Sequence, residues 1–326
     1  MASSKQLIAM IRSHAAGDDE RFLAIAGHIA SDARKSGHHR MAQEIDTLVG
    51  ALREEAGERR VASRPTLIAA PRGELASLVR ASYPELRLSD VVLADDVEVR
   101  LRRIIREHRE RGVLAERGLQ PRRKLLLSGP PGTGKSMTAA AIAGELGLPL
   151  FTVLLDGVIT KFMGETAAKL RIVFDAMQGA RGVYFFDEVD ALATRRGAEN
   201  DIGEARRMLN SFLQFLDEDS SGSLILAATN HQELLDRAIF RRFEATIRYG
   251  LPPADHVRRI LTQRLPQFDL SAVSWVEVAT AAEGLSQADL TAAADDAARD
   301  AVLEAEGKLT SSTLLRAISE RAHLTR

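Results

Sequence analysis

The chain has 326 residues, 45% hydrophobic and 27% charged, which is enough for two or three domains with sizeable cores. Forty-four basic residues against forty-five acidic leave a formal net charge of −1, so no global field argues for nucleic acid or a membrane surface. The absence of cysteine excludes disulfides, thiolate zinc sites and cysteine nucleophiles, and a reducing, cytoplasmic setting is expected.

The opening MASSKQLIAMIRSHAAGDDE lacks an apolar run of signal-peptide length. No later stretch approaches the roughly 20 apolar residues that span a bilayer, so no membrane insertion is expected. Three helical patterns come first: Leu7, Ile8 and Ile11; Phe22, Ile25, Ala26 and Ile29; Met41, Ile45, Leu48 and Leu52. Gly17 and Gly37 punctuate them, and residues 1–60 read as a small helical domain. His38 and His39, with no spaced acidic partner, read as a solvated helix start rather than a metal site. Pro65, Pro71, Gly73 and Pro84 then interrupt every pattern, and residues 61–84 read as a linker. RLRRIIREHRERG, residues 100–112, reads as a helix with one charged face.

From residue 85 short apolar strands alternate with helical runs. Strands are predicted at 124–129, 149–155, 182–188, 223–230 and 245–250. The fold class is therefore α/β, a parallel sheet flanked by helices over 85–250, with a purely helical domain over 251–326.

The first predicted strand runs into GPPGTGKS, which fits the pattern G-x-x-x-x-G-K-[ST]. Gly129, Pro130, Pro131, Gly132, Thr133 and Gly134 form a loop whose backbone N–H groups can bend around phosphate oxygens. The next helix adds its positive end, Lys135 reaches the β- and γ-phosphates, and Ser136 can hold Mg2+. A chance glycine-rich turn is the bland alternative, and the strand before and helix after count against it. VYFFDEVD ends another strand with Asp187, suited to hold the magnesium through water, and Glu188, suited to polarise an attacking water. Asp190 reads as a helix cap. Asn230 ends LILAATN, where its amide can orient the same water; alone, it would read as a turn residue. Arg241 and Arg242 stand together before the last strand. They read either as surface charges or as groups that reach a neighbouring subunit and stabilise charge on the γ-phosphate.

Residues from about 85 to 326 resemble the AAA family of ATPases: GPPGTGKS, FFDEVDAL, AATN, LDRAIFRRFE, LPPADHVRRIL and GLSQADL occur in that family's order and spacing. The resemblance implies ATP hydrolysis, a sheet in the order 5-1-4-3-2, a helical lid and a homo-oligomeric ring, usually hexameric, with each nucleotide at a subunit boundary. By the same resemblance Asn230 matches the sensor-1 position, and Arg241 and Arg242 match paired arginine fingers. Met137 and Ala288 join the nucleotide-binding residues. Ala288 stands where many relatives carry the sensor-2 arginine, an absence shared with the protein-remodelling branch, and Gln287 stands where many carry glycine near the adenine.

KFMGET lies between the second predicted strand and its helix, where the family places its first pore loop. Lys161, Phe162, Met163 and Gly164 are thus implied to line a channel that grips extended polypeptide. An aromatic ring packs on side chains of any sequence, and a methionine adapts to their shape. Phe162 stapling its helix start is the plain alternative. RRGAENDIG, 195–203, falls at the second pore loop. The expected function is ATP-driven remodelling, unfolding or translocation of a protein substrate, recognised through the N-terminal helices. A nucleotide-controlled switch that restrains a partner without threading it is the alternative, and a nucleic-acid motor is disfavoured by the near-neutral charge. The chain has neither HExxH nor G-x-S-x-G, so any proteolysis belongs to another polypeptide. In its short helical front it also resembles the ATPase partner of subtilisin-like serine proteases found in bacterial two-gene plasmid-stability and phage-defence modules.

Overall fold

The computed structural model describes residue 71, residues 73–159, 163–192, 201–235, 237–304 and 307–325, and four separate helical positions, Ala30, Arg34, Gln43 and Thr47. Otherwise the helices expected over 1–60 lie outside the described residues, as do Lys161, Phe162 and residues 195–200 of the second loop. Contacts divide the chain into Met1–Thr66 and Leu67–Arg326, and the architecture below is that of the second unit.

Six strands form one sheet: β1 (Val79–Ser82), β2 (Lys124–Ser128), β3 (Leu150–Val153), β4 (Val183–Phe186), β5 (Leu224–Thr229) and β6 (Ala245–Arg248). Their order is β1-β3-β4-β5-β2-β6. The five predicted strands are β2 to β6. They are all parallel and in the expected order, and β1 adds an antiparallel edge against β3. That edge comes from residues 61–84, read as a linker, which also carry the one-turn helix α1 (Leu75–Leu78).

Every residue of β4 and β5 is buried, as a parallel sheet covered on both faces requires. Alternation along the strands divides the core in two. On one face Leu126, Phe186 and Ile225 pack with Leu170, Val173 and Phe174 of α6 (Met163–Gly179) and Phe212 and Leu216 of α7 (Asp201–Glu218). On the other, Leu125, Leu127 and Phe185 pack with Leu101 and Ile104 of α2 (Asp95–Arg109) and Ala139 and Ile142 of α4 (Lys135–Leu146). The short helices α3 (Arg111–Ala115), α5 (Leu155–Val158) and α8 (Arg237–Phe240) fill connections. The basic stretch 100–112 forms most of α2 and the start of α3, and α2 turns its apolar face inward while its arginines remain largely exposed.

Residues 254–325 form four helices: α9 (Ala254–Arg264), α10 (Trp275–Ala281), α11 (Gln287–Glu304) and α12 (Ser311–Thr325). They enclose a third core, to which Val92 also contributes. Ala293, Ala294, Ala297 and Ala301 form a fully buried stripe on α11, and such short side chains let neighbouring helices approach closely. Among the described residues no helix is long and apolar enough to cross a membrane.

Candidate active site

At the exit of β2 two positions cannot carry a side chain, Gly129 and Gly132. A Cβ on Gly129 (φ 152°) would press into the Tyr249 carbonyl and lie 2.8 Å from the Tyr249 Cβ. One on Gly132 (φ 72°) would lie 2.5 Å from Ser286 Oγ, and Gly134 turns left-handed at φ 93° just before α4. Glycine is needed here for conformation and for space together. Thr133 closes the turn by donating to the Pro130 carbonyl at 2.8 Å. Lys135 is buried, and its ammonium donates to the carbonyls of Gly129 at 2.8 Å and Pro130 at 2.7 Å. Burial pulls the Lys135 pKa below its ordinary value, opposed by the nearby charges of Asp187 and Asp190.

Ser136, one residue into α4, donates to Asp187 Oδ2 at 2.9 Å. Asp187 leaves the end of β4 half-buried, and its other oxygen accepts from the Glu188 N–H at 3.0 Å. Glu188 is exposed and sits at φ 52°, the one described non-glycine residue with positive φ. Such a conformation costs of order 1–3 kcal/mol and often accompanies functional positions. Asp190 is no helix cap: it lies within a short 3-10 helix, Val189–Leu192, and its buried carboxylate accepts from the Thr229 hydroxyl at 2.7 Å. That bond ties the end of β4 to the end of β5, one residue before half-buried Asn230.

The fourth wall comes from α11. Ser286 and Asp289 form a reciprocal capping box, with Ser286 Oγ donating to Asp289 Oδ2 at 2.6 Å and accepting from the Asp289 N–H at 3.2 Å. The Ala288 N–H donates to the Gly132 carbonyl at 3.0 Å, which fastens the helix start to the loop. The open cleft between these elements measures about 570 Å³, within the range of small-ligand sites. Pro131, Gly132, Gly134, Lys135, Ser136, Met137, Asp187, Glu188, Asn230 and Ala288 all line it; Gly129, Pro130 and Thr133 support the loop behind.

Sequence reading missed Thr291, Ala292 and Asp295 as further lining residues. With Gln287 and Ala288 they recur at three- and four-residue steps along one face of α11, a signal usable only once that face is known to meet the loop. Asp295 is held by Arg264 through paired bonds of 2.6 and 2.8 Å, and that guanidinium keeps its carboxyl below the usual range. Arg241 and Arg242 do not line the cleft and stand exposed in the turn before β6. Met163 opens α6, and Gly164 is exposed beside it.

A nucleoside triphosphate fits this site: the loop has no room for a side chain at Gly129 or Gly132, a buried ammonium stands among its carbonyls, and the cleft has the volume. The donor set also fits magnesium. Among the described residues no group of three His, Asp or Glu could hold a metal unaided, whereas a hydroxyl beside one carboxylate is what Mg2+ needs when phosphates and water complete its shell.

Residues 125–251 match the family described as ATPase family associated with various cellular activities (AAA). An uncharacterized AAA family ATPase, y4kL, of Sinorhizobium fredii is 34% identical over 310 residues, covering 94% of this chain and 92% of that protein. The ATP-dependent zinc metalloprotease FtsH 1 of Symbiobacterium thermophilum is 36% identical over 242 residues, covering 72% of this chain and 41% of its own length. The crystal structure of the FIGL-1 AAA domain aligns with a TM-score of 0.61 at 24% identity, covering 78% of this chain and 91% of that one, a likeness of fold.

Proposed function

The chain belongs to the AAA ATPase family, and from that premise we propose that it hydrolyses ATP in a homo-oligomeric, hexameric ring to remodel, unfold or translocate a protein substrate. The observation that carries the reading is the single cleft on which the glycine-rich loop, Lys135, Ser136, Asp187, Glu188 and Asn230 converge. Within it the N–H groups of 132–134 and the start of α4 receive the phosphates, and Lys135 exchanges a loop carbonyl for a phosphate oxygen. Ser136 and, through water, Asp187 would hold Mg2+, which would supply charge neutralisation for the phosphates. Glu188 takes the proton of the attacking water and Asn230 orients that water, a pairing that needs the two strand ends fixed relative to each other. The Asp190–Thr229 bond supports that requirement. An arginine from the neighbouring subunit completes charge stabilisation on the γ-phosphate.

Protein rather than nucleic acid is the proposed substrate because the chain is nearly neutral and Phe162, Met163 and Gly164 immediately precede or open α6. The absence of cysteine is compatible with work in the cytoplasm. A separate protease, of the subtilisin-like kind, is a partner this reading accommodates.

The test is to purify the Glu188→Gln variant with ATP and magnesium and to determine particle mass and bound protein. ATP is expected to be retained while turnover falls by roughly 10²–10⁴, the usual contribution of a positioned base. A six-subunit particle holding one specific protein supports the motor. An empty ring favours the nucleotide-controlled switch, and a monomer overturns the ring. Phe162→Ala separates the two functions: a motor loses substrate processing with basal hydrolysis intact, while a switch keeps control of its partner.

A further inference from the structure

Arg241 and Arg242 are neighbours in sequence but are held differently. Arg242 Nη1 is ion-paired with Asp217, on the last turn of α7, and its backbone N–H donates to the Ile239 carbonyl at 3.0 Å. Arg241 is exposed and, among the described residues, makes no hydrogen bond or ion pair. The turn that carries them is bolted at both ends. Phe240 and Phe243 pack on the core between the sheet and α6 and α7, and the Glu244 N–H donates to the Lys124 carbonyl at 2.8 Å. What remains adjustable is the direction of two guanidinium groups.

We propose that Arg241 alone is the catalytic arginine offered to the neighbouring subunit's nucleotide, and that Arg242 is a positioning residue anchored within its own subunit by Asp217. This deepens the trans-arginine reading above and rests on it. Asp217 pairs with Arg242, which leaves Arg241 as the guanidinium of the turn with no ion pair among the described residues. An ion pair as exposed as this one adds little to stability, so its consequence is geometric: Arg242 is held toward Asp217, while Arg241 stays exposed beside it. An arginine that served the phosphate itself would first have to leave its carboxylate.

The experiment measures kcat and KM for ATP in Arg241→Ala, Arg242→Ala, Asp217→Asn and the charge-swapped Asp217→Arg/Arg242→Asp. Fluorescent-nucleotide binding and thermal melting control for folding. Arg241→Ala is expected to lose about 10³-fold or more in kcat, the scale of an arginine finger. It should regain turnover when mixed with Lys135→Ala subunits, which keep the arginine but not the nucleotide. Arg242→Ala and Asp217→Asn are each expected to lower kcat by about tenfold with KM unchanged, as a misaimed group does. The swapped pair should return to within about threefold of the parent, because the clasp is restored with reversed sign. A swapped variant as inactive as Arg241→Ala would mean that Arg242 itself meets phosphate, and Asp217→Asn at parental kcat would mean that the clasp has no positioning effect. Either result overturns the proposal. Full activity in Arg241→Ala would instead remove the trans-arginine reading, whatever the pair does.

Discussion

Glu188 carries the proposed base on a backbone that glycine would prefer, at φ 52°. Replacing it separates chemistry from strain. Glu188→Gln keeps the left-handed backbone cost, whereas Glu188→Gly releases it, and both remove the carboxylate. The glycine variant is expected to be more stable than the glutamine variant by about 1 kcal/mol in denaturant unfolding, with both equally inactive. Equal stabilities would show that this turn stores no strain. Gly164 offers the reverse comparison. A Cβ there meets nothing within 4 Å, and it lies in the first turn of α6, so Gly164→Ala should leave folding unharmed or stabilise it by up to about 0.5–1 kcal/mol. Slower substrate processing in so stable a variant would locate the need for glycine in the substrate path. Gly129→Ala faces both the Tyr249 carbonyl and a disfavoured φ, and its melting temperature should fall along with its nucleotide affinity.

Among the elements, those with the strongest local chemistry were legible and those defined by long-range neighbours were not. β2, β4 and β5 announce themselves as short unbroken apolar runs because both faces of a parallel strand are covered. The glycine-rich loop is legible because its φ values admit little else. β1 was hidden: VRAS is four residues long, flanked by proline, and its burial alternates, so only pairing with β3 makes it a strand. The cleft-lining face of α11 and the Arg242–Asp217 pair were equally hidden, since their partners lie far along the chain. Another such long-range tie joins α2 to the entrance of β2. Arg122 donates to Glu107 through Nε at 3.0 Å and through Nη2, and this holds the Glu107 carboxyl below its ordinary value of 4.5. The folded pKa is therefore below the unfolded one. The pair's stabilisation is fully present above pH 4.5 and is lost as pH falls toward the folded value. Glu107→Gln should thus lose stability near neutral pH and show a shallower further loss below pH 4.5, measured by unfolding across pH. Parallel curves for parent and variant would exclude the clasp as a contributor to acid sensitivity.

At the scale of the whole unit, the cleft lies where two cores meet. The sheet with α2 and α4 packs around one core, α9 to α12 enclose another, and the loop-to-helix bond from Ala288 to Gly132 crosses between them at the cleft itself. A nucleotide there would touch β2's exit, β4's end and α11 at once, so its binding energy would fall on contacts that unfolding of either part breaks. For a ligand at about 100 times its dissociation constant the stabilisation is about 2.7 kcal/mol. In a unit of this size that corresponds to a melting shift of roughly 5–10 °C. The expectation is therefore specific: in Glu188→Gln with ATP and magnesium, amide exchange slows in the loop after β2 and in the first turns of α11 together, and the melting temperature rises as one transition. Lys135→Ala should show neither effect. Ser136→Ala should keep a smaller shift with a weaker dependence on magnesium, because the hydroxyl beside Asp187 is the group proposed to hold it. Protection confined to the loop, with α11 exchanging as before, would mean that the helical domain only borders the nucleotide.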